Sequence, residues 1–214
     1  MSGKNYRHII WDWNGTLLDD AWLCVDIMNA ILRKRNLPEL SLKRYAEIFD
    51  FPVRNYYAKL GFDAQIDPFE KLSVEFISQY LARKFECNLR ENARETLTHF
   101  TERGISQSVL SAAEHNHLVE AVSHYGIWDY FTDVSGIDNH DADGKLENAR
   151  LMMRQLSLDP AAVLLVGDTL HDFHVAREIG VDCALISGGH QSREKLDNCN
   201  GIVINSLTSL HFSG

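Results

Sequence analysis

The run "AVLLVG" (162–167) constrains this chain most, because it holds no polar side chain and is too short for an ordinary helix. A continuously apolar strand is one buried on both faces, the situation of an interior strand in a parallel sheet. Its surroundings repeat the same theme from about residue 90 onward. Residues 90–103 place Leu89, Ala93, Leu97 and Phe100 on one helical face and stop at Gly104. "ISQSVL" (105–110) reads as a strand, Leu118, Val122 and Tyr125 mark a helix closed by Gly126, and "YFTDV" (130–134) reads as a strand. A helix over 147–156 turns Ala149, Met152, Met153 and Leu156 inward. After "AVLLVG" come a helix over 171–179 ending at Gly180 and the strands "CALIS" (183–187) and "GIVIN" (201–205). Strand–helix alternation of this kind predicts an α/β fold, a doubly wound parallel sheet whose ligand edge lies at the carboxyl ends of the strands. The apolar run His8 to Trp11 is the first strand, and Asp12 ends it.

Between residues 18 and 88 the alternation breaks. This region reads as helices only, over about 20–35, 41–49, 52–60 and 68–85, with "NLPEL" and "QIDPF" as separators. The expected organisation is a core domain from residues 1–17 and 89–214, with 18–88 inserted as an all-helical cap over the ligand edge. A chain of 214 residues can bury a full core and carry such an insertion. With 21 Lys and Arg against 30 Asp and Glu, the net charge of -9 argues against a nucleic-acid partner, since no basic stretch stands out. No apolar run is long enough to span a bilayer, and "MSGKNYRHII" lacks the apolar centre of a signal peptide. Cys24, Cys87, Cys183 and Cys199 form no CxxC pair and read as reduced thiols, so a cytoplasmic location without a membrane partner is expected.

Four short features fall at strand ends: Asp12 with Asn14, Gly15 and Thr16; Ser111 directly after 105–110; Lys145 in the loop "DADGKLENA" before a helix; and Asp168 with Asp172 in "VGDTLHD". Each alone has an ordinary explanation. Asp before Asn-Gly suits a turn, Ser111 suits a helix cap, a loop lysine is usually solvated, and Asp172 suits the first turn of a helix. Together, in this order and on one edge, they are the parts of a phosphoryl-transfer site. A carboxylate attacks phosphorus, a cation and a metal offset phosphate charge, and a hydroxyl with backbone N–H groups holds the oxygens.

"IIWDWNGTLLD", "SVLSA", "GK" and "LLVGDTLHDFHVAREIG" resemble the four motifs of the haloacid dehalogenase superfamily of hydrolases. Order, spacing and the helical insertion resemble its phosphoglycolate-phosphatase-like branch over nearly the whole chain. The resemblance implies a Mg²⁺-dependent phosphatase acting on a small phosphorylated metabolite through an aspartyl-phosphate on Asp12. It implies that Ser111, Ala112 and Thr16 bind the phosphoryl group and that Lys145 neutralises charge beside Asp12. It implies further that Asp168, supported by Asp172, holds Mg²⁺ with Asp12 and the backbone carbonyl of Asn14.

Asn14 departs from the resemblance, because phosphatases of this family carry there an aspartate that serves as general acid and base. An amide cannot relay a proton, and a positioned acid or base is commonly worth roughly 10²- to 10⁴-fold in rate, about 3 to 5 kcal/mol of barrier. Three readings follow. Proton transfer comes from water, the substrate or a cap residue such as a histidine; or the chain is a catalytically weak phosphate-binding or regulatory protein; or the residue was introduced to trap a complex. The loss should weigh most on alkyl phosphates and least on acyl or aryl phosphates, whose leaving groups need less protonation.

Dehalogenation needs no metal, so the intact "GDTLHD" speaks against it; phosphonate hydrolysis needs a cap lysine, and nothing singles out Lys34, Lys43, Lys59 or Lys71. His115 and His117 read as helix-surface residues. The loop "GIDNHDADGK", with Asp138, His140, Asp141 and Asp143, lacks the spacing of an EF-hand and reads as presenting Lys145. "SGGHQS" (187–192) is a turn that could approach the metal edge. Trp22, Arg54, Tyr56, Tyr57 and Lys59 are the cap side chains open to substrate contact, with packing or solvation as the alternative.

Overall fold

The computed structural model describes residues 4–137 and 143–210. Strand β1 (His8–Trp11) leads through a two-residue strand β2 (Leu18–Asp19) into four helices, α1 (Ala21–Arg33), α2 (Leu42–Ile48), α3 (Val53–Ala58) and α4 (Phe69–Arg83). The chain returns through β3 (Asn88–Leu89), α5 (Ala93–Glu102), β4 (Ser106–Glu114), α6 (His115–His124), β5 (Asp133–Ile137) and α7 (Asp143–Leu156). It then runs through β6 (Val163–Gly167), α8 (Leu170–Ile179), β7 (Asp182–Ile186), α9 (Arg193–Leu196) and β8 (Ile202–Ile204).

Six strands form one parallel sheet in the order β5-β4-β1-β6-β7-β8. The chain builds outward from β1 to one side and then to the other, so β1 lies at the switch point, where connections diverge and leave a crevice at the carboxyl edge. Period-two alternation explains the apolar runs. Ile9, Trp11, Leu164 and Val166 enter one core layer with Leu97, Phe100 and Leu118. Ile10, Val163 and Leu165 enter the other with Ala149, Met152 and Val175. Both faces of β1 and β6 are therefore dry, as the sequence pattern predicts. The polar start of β1 is satisfied within the sheet, where His8 bonds Ser106 Oγ at 2.7 Å through Nδ1 and Ser108 Oγ at 2.8 Å through Nε2. Burial holds its imidazole down to about 4, hence neutral.

Several expectations need correction. The 18–88 region is not purely helical: β2 and β3 pair antiparallel, Leu18 with Leu89 and Asp19 with Asn88, tying the entry of the insertion to its exit. Neither strand has enough residues to show a period. Strand β4 runs past residue 110 to Glu114 with a register shift, so Ser111 sits within it rather than after it. The strand expected over 130–134 begins only at Asp133, after a single 3-10 turn over Trp128–Tyr130. Lys145 lies in the first turn of α7, not in the loop before a helix. The loop acids and histidine at 138–141 lie outside the described residues, as does the side chain of Asp143. No helix of the described residues is long and apolar enough to cross a membrane.

Phe100 carries the contact between α5 and the first strand. It is fully buried, with its ring centroid 6.1 Å from that of Trp11. Phe100→Ala should cost about 3–5 kcal/mol, the transfer of the ring plus the void left behind. Urea unfolding should show a lower midpoint at unchanged slope; a loss under about 1 kcal/mol would mean that the layer refills freely.

Candidate active site

Asp12 follows β1 at the switch point, and its backbone N–H still donates to Val166 O of β6 at 2.8 Å. That bond fixes the residue's position beyond the sheet edge. Lys145, projected from the start of α7, donates to Asp12 Oδ1 and, at 2.6 Å, to Asp172 Oδ1. Asp172 gives its other oxygen to the backbone N–H and hydroxyl of Thr169, at 3.0 and 2.7 Å. The capping role and the charged role read from the sequence are thus one side chain doing both. Thr16 Oγ1 stands between Asp12 Oδ2 and Asp168 Oδ1, 3.3 Å from each. All of these groups are buried, Asp12 being the most open at 7%.

Two glycines make this packing possible. A Cβ on Gly15, whose φ is +71°, or on Gly189 would come within 2.2 Å of Asp168 Oδ2. The backbone loops after β1 and β7 close on that carboxylate because neither carries a side chain there. The N–H of His190 donates to Asp168 Oδ2. Arg90 bridges the same two loops from behind, donating to Gly15 O and to Ser187 O.

Three carboxylates against one lysine set the electrostatics. Burial pushes Asp12 up to about 8; Lys145 opposes this, and Asp172 and Asp168 add to it. Burial likewise lifts Asp168 to about 6 against the pull of His190. For Asp172, burial is outweighed by Lys145, which keeps the carboxyl below its ordinary range. Carboxylate oxygens of Asp12, Asp168 and Asp172 lie within 4.8 Å of one another, a spacing and donor type that suit a hard divalent cation. Asp12 and Asp168 each accept two hydrogen bonds, but only Asp168 lacks a bond from Lys145. A second cluster of Asp20, Cys24 and His190 is equally close, but its donors and acceptors are spent on one another and on neighbours, so it does not fit a metal.

Asn14 is turned elsewhere. Its Nδ2 donates at 2.7 Å to Asp20 Oδ2 and at 2.7 Å to Tyr80 Oη of α4, and Tyr80 donates to the same Asp20 oxygen at 2.8 Å. Asp20 Oδ1 accepts from the Gly15 N–H at 2.9 Å and faces His190 Nε2 at 3.2 Å, while His190 Nδ1 bonds Tyr45 Oη of α2 at 2.7 Å. Burial works against the charge on Asp20, and His190, Asn14 and Tyr80 outweigh it, so the carboxyl stays low. His190 mirrors this: burial would lower its pKa, but Asp20 lifts it to about 9.

The structure brings Asp12, Thr16, Lys145, Asp168 and Asp172 of the sequence reading into one cluster. Ser111 is buried two residues beyond Val109, the partner of Trp11, and its Oγ accepts from the Ala113 N–H at 3.0 Å; Ala112 beside it is partly buried. Glu114, not Ser111, caps α6. His115 meets the Gly136 N–H and His117 faces Glu114, so both serve α6 and its neighbours. Of the cap residues considered, Tyr56 and Tyr57 are buried in the insertion, Arg54 pairs with Glu70, Lys59 reaches Ile48 O and Trp22 reaches Asp19 O. Asp20, Tyr45, Tyr80, Arg90 and His190 were missed. Asp20 falls at the start of the helix expected over 20–35; it stands at the N-cap of α1 yet makes no side-chain cap bond. Of these five, only His190 lies in a stretch, "SGGHQS", that the sequence reading placed near this edge.

A family model described as haloacid dehalogenase-like hydrolase matches residues 9–186. The chain is 27% identical to an N-acetylmuramic acid 6-phosphate phosphatase of Pseudomonas putida, over 91% of this chain and 87% of that protein. It is 24% identical to a phosphoglycolate phosphatase of Rhodobacter capsulatus, over 86% of this chain and 85% of that one. Among solved structures, a haloacid dehalogenase-like family hydrolase of Streptococcus pneumoniae shares the fold with a TM-score of 0.81 at 18% identity, covering 96% of both chains. Fold, motif order and family model agree: the chain belongs to the haloacid dehalogenase-like hydrolases.

Proposed function

We propose that this chain is a Mg²⁺-dependent phosphatase acting on a small phosphorylated metabolite through an aspartyl-phosphate on Asp12. The observation that carries the reading is the buried contact of Asp12 with Lys145, beside Asp168 and Asp172 at the switch point of the sheet. The relatives named as phosphatases of sugar-acid and glycolate phosphates support the substrate class. In this reading residues 18–88 act as the cap domain and residues 1–17 and 89–214 as the core. The four free cysteines support the cytoplasmic assignment.

Asp12 attacks phosphorus as a carboxylate; a P–O bond forms to Asp12 and the P–O bond to the leaving group breaks. Lys145 holds one oxygen of the nucleophile and supplies positive charge beside the incoming phosphoryl group. Asp172 holds Lys145 in place from the far side, and Thr16 orients the second Asp12 oxygen. Ser111, with the backbone at Ala112, binds phosphoryl oxygens from the neighbouring strand. Mg²⁺, held by Asp12, Asp168 and the carbonyl of Asn14 with Asp172 in support, would neutralise phosphoryl charge as a Lewis acid. Water then attacks the phosphorus of the acyl phosphate, and inorganic phosphate leaves with Asp12 restored. Because Asn14 relays no proton, the leaving group departs as an anion or takes a proton from water, the substrate or another side chain, which favours aryl and acyl phosphates.

Steady-state assays with Mg²⁺ should show kcat/KM for an aryl phosphate exceeding that for an alkyl phosphate by at least ~10²-fold, with Asp12→Asn inactive on both. No hydrolysis of any phosphate ester, together with tight binding of a phosphate analogue, would move the chain to the binding or regulatory reading.

A second outcome concerns pH. Asp12 and Asp168 titrate above their ordinary value in the folded protein, at about 8 and about 6. Between the ordinary carboxylate range and those values, the folded state holds protons that the unfolded state lacks, so stability without metal falls as pH rises toward 8. Mg²⁺ needs both carboxylates ionised, so its binding is stronger at the alkaline end. Saturating Mg²⁺ should raise Tm by roughly 5–10 °C at pH 8 and by clearly less at pH 6. An equal or larger rise at pH 6 would contradict the assigned ligands.

A further inference from the structure

We infer that Asn14 and Asp20 form a matched donor–acceptor pair that latches the helical insertion over Asp12, with Asp20 as the positioning residue. The inference rests on the phosphatase reading only for what the latch covers. The latch itself stands on the bonds of the buried Asp20 with the half-buried Asn14 and Tyr80.

Asp20 is 1% exposed and lies between the first strand and α1. Its Oδ2 takes two donors, the amide of Asn14 and the hydroxyl of Tyr80. Its Oδ1 takes the Gly15 N–H and faces His190. Through Tyr80 the carboxylate reaches α4 directly, and through His190 and Tyr45 it reaches α2. One carboxylate at the root of the insertion therefore ties two of its helices to Asn14, Gly15 and His190 of the core at once. The contacts that surround it are consistent with a closed arrangement: Ser192 N–H donates to Ala46 O at 3.0 Å, and Lys195 Nζ to Phe49 O at 2.6 Å.

The chemistry of the triangle decides which residue position 14 can hold. Asn14, Asp20 and Tyr80 lie 2.7 to 2.8 Å apart in pairs. The amide supplies two donor contacts, and Tyr80 accepts one hydrogen bond and donates another. An ionised carboxylate at position 14 would set two negative oxygens at this separation with only the tyrosine proton to share between them, in a half-buried place where repulsion is less screened than in water. Asn14 is thus more than a vacated acid; it is the partner that Asp20 requires. Amide and carboxylate have nearly the same shape, so exchanging the two residues reverses all three hydrogen bonds of the triangle and leaves Tyr80 accepting from residue 20 and donating to residue 14. Exchange would also carry the carboxylate to position 14, where it can relay protons.

Asn14→Asp, Asp20→Asn and the double exchange N14D/D20N form the test, read by Tm, by the rate of proteolysis within the helical insertion, and by KM and kcat on an aryl and an alkyl phosphate with Mg²⁺. Each single change should lower Tm and raise KM and the cleavage rate by roughly 10-fold or more, and the double exchange should return all three to within ~3-fold or a few degrees of wild type. The exchange should also raise kcat on the alkyl phosphate by ~10-fold or more over wild type. Single effects that merely add in the double variant, or an N14D protein with wild-type Tm, KM and cleavage rate, would overturn the latch. If N14D does not fold, a folded N14D/D20N supports the pairing, and an unfolded one refutes it. Absence of hydrolysis in every variant would count against the phosphatase reading alone, since Tm and proteolysis still decide the latch.

Discussion

Everything at the carboxyl edge of the sheet depends on holding several carboxylates in a space that water scarcely reaches. Asp12, Asp20, Asp168 and Asp172 are each 7% exposed or less. Such burial is tolerated only where each charge has a partner, and the fold divides the partners into two sets. Lys145 serves Asp12 and Asp172, and the Thr169 cap absorbs the remaining oxygen of Asp172. His190 and Asn14 serve Asp20. Asp168 is left with one backbone donor and a distant hydroxyl, which makes it the carboxylate with most to gain from a cation.

The two sets are joined through backbone rather than through a shared side chain. Gly15 donates its N–H to Asp20, and Arg90 holds its carbonyl; a side chain at that position would collide with Asp168. His190 faces both ways, giving its N–H to Asp168 and its ring to Asp20 and Tyr45. A displacement of α2 or α4 therefore pulls on loops that also wall the Asp168 carboxylate. That is a physical route from the position of the insertion to the geometry of the site, and it needs no long pathway.

How much of this was legible in the sequence follows from the range of each signal. The sheet was readable because burial on both faces leaves an uninterrupted apolar run, as in "AVLLVG", and because helix periods with terminal glycines separate the runs. Asp12, Lys145, Asp168 and Asp172 were readable because topology carries every strand end to one edge, whatever the intervening sequence. The pairing of β2 with β3 was not, since two residues have no period and the partners are some seventy positions apart. Tyr80 and Tyr45 were invisible for another reason. A tyrosine on a helix looks the same whether its hydroxyl meets water or a buried carboxylate, and only packing of the insertion on the core decides that.

Asn14 shows why a motif compared position by position can mislead about chemistry. Read against a family pattern, it is an acid lost and a rate lowered. In the folded chain its side chain belongs to the insertion, through Tyr80 and Asp20, whereas its backbone continues the loop that carries Gly15 and Thr16 to the Asp12 edge. The two halves of the residue answer to different constraints. A carbonyl can serve a cation whatever side chain it carries, so the amide can be committed to Asp20 without removing the main-chain oxygen. The neighbouring acid that makes this arrangement work lies six residues along the chain, and the meaning of position 14 is set by the occupant of position 20.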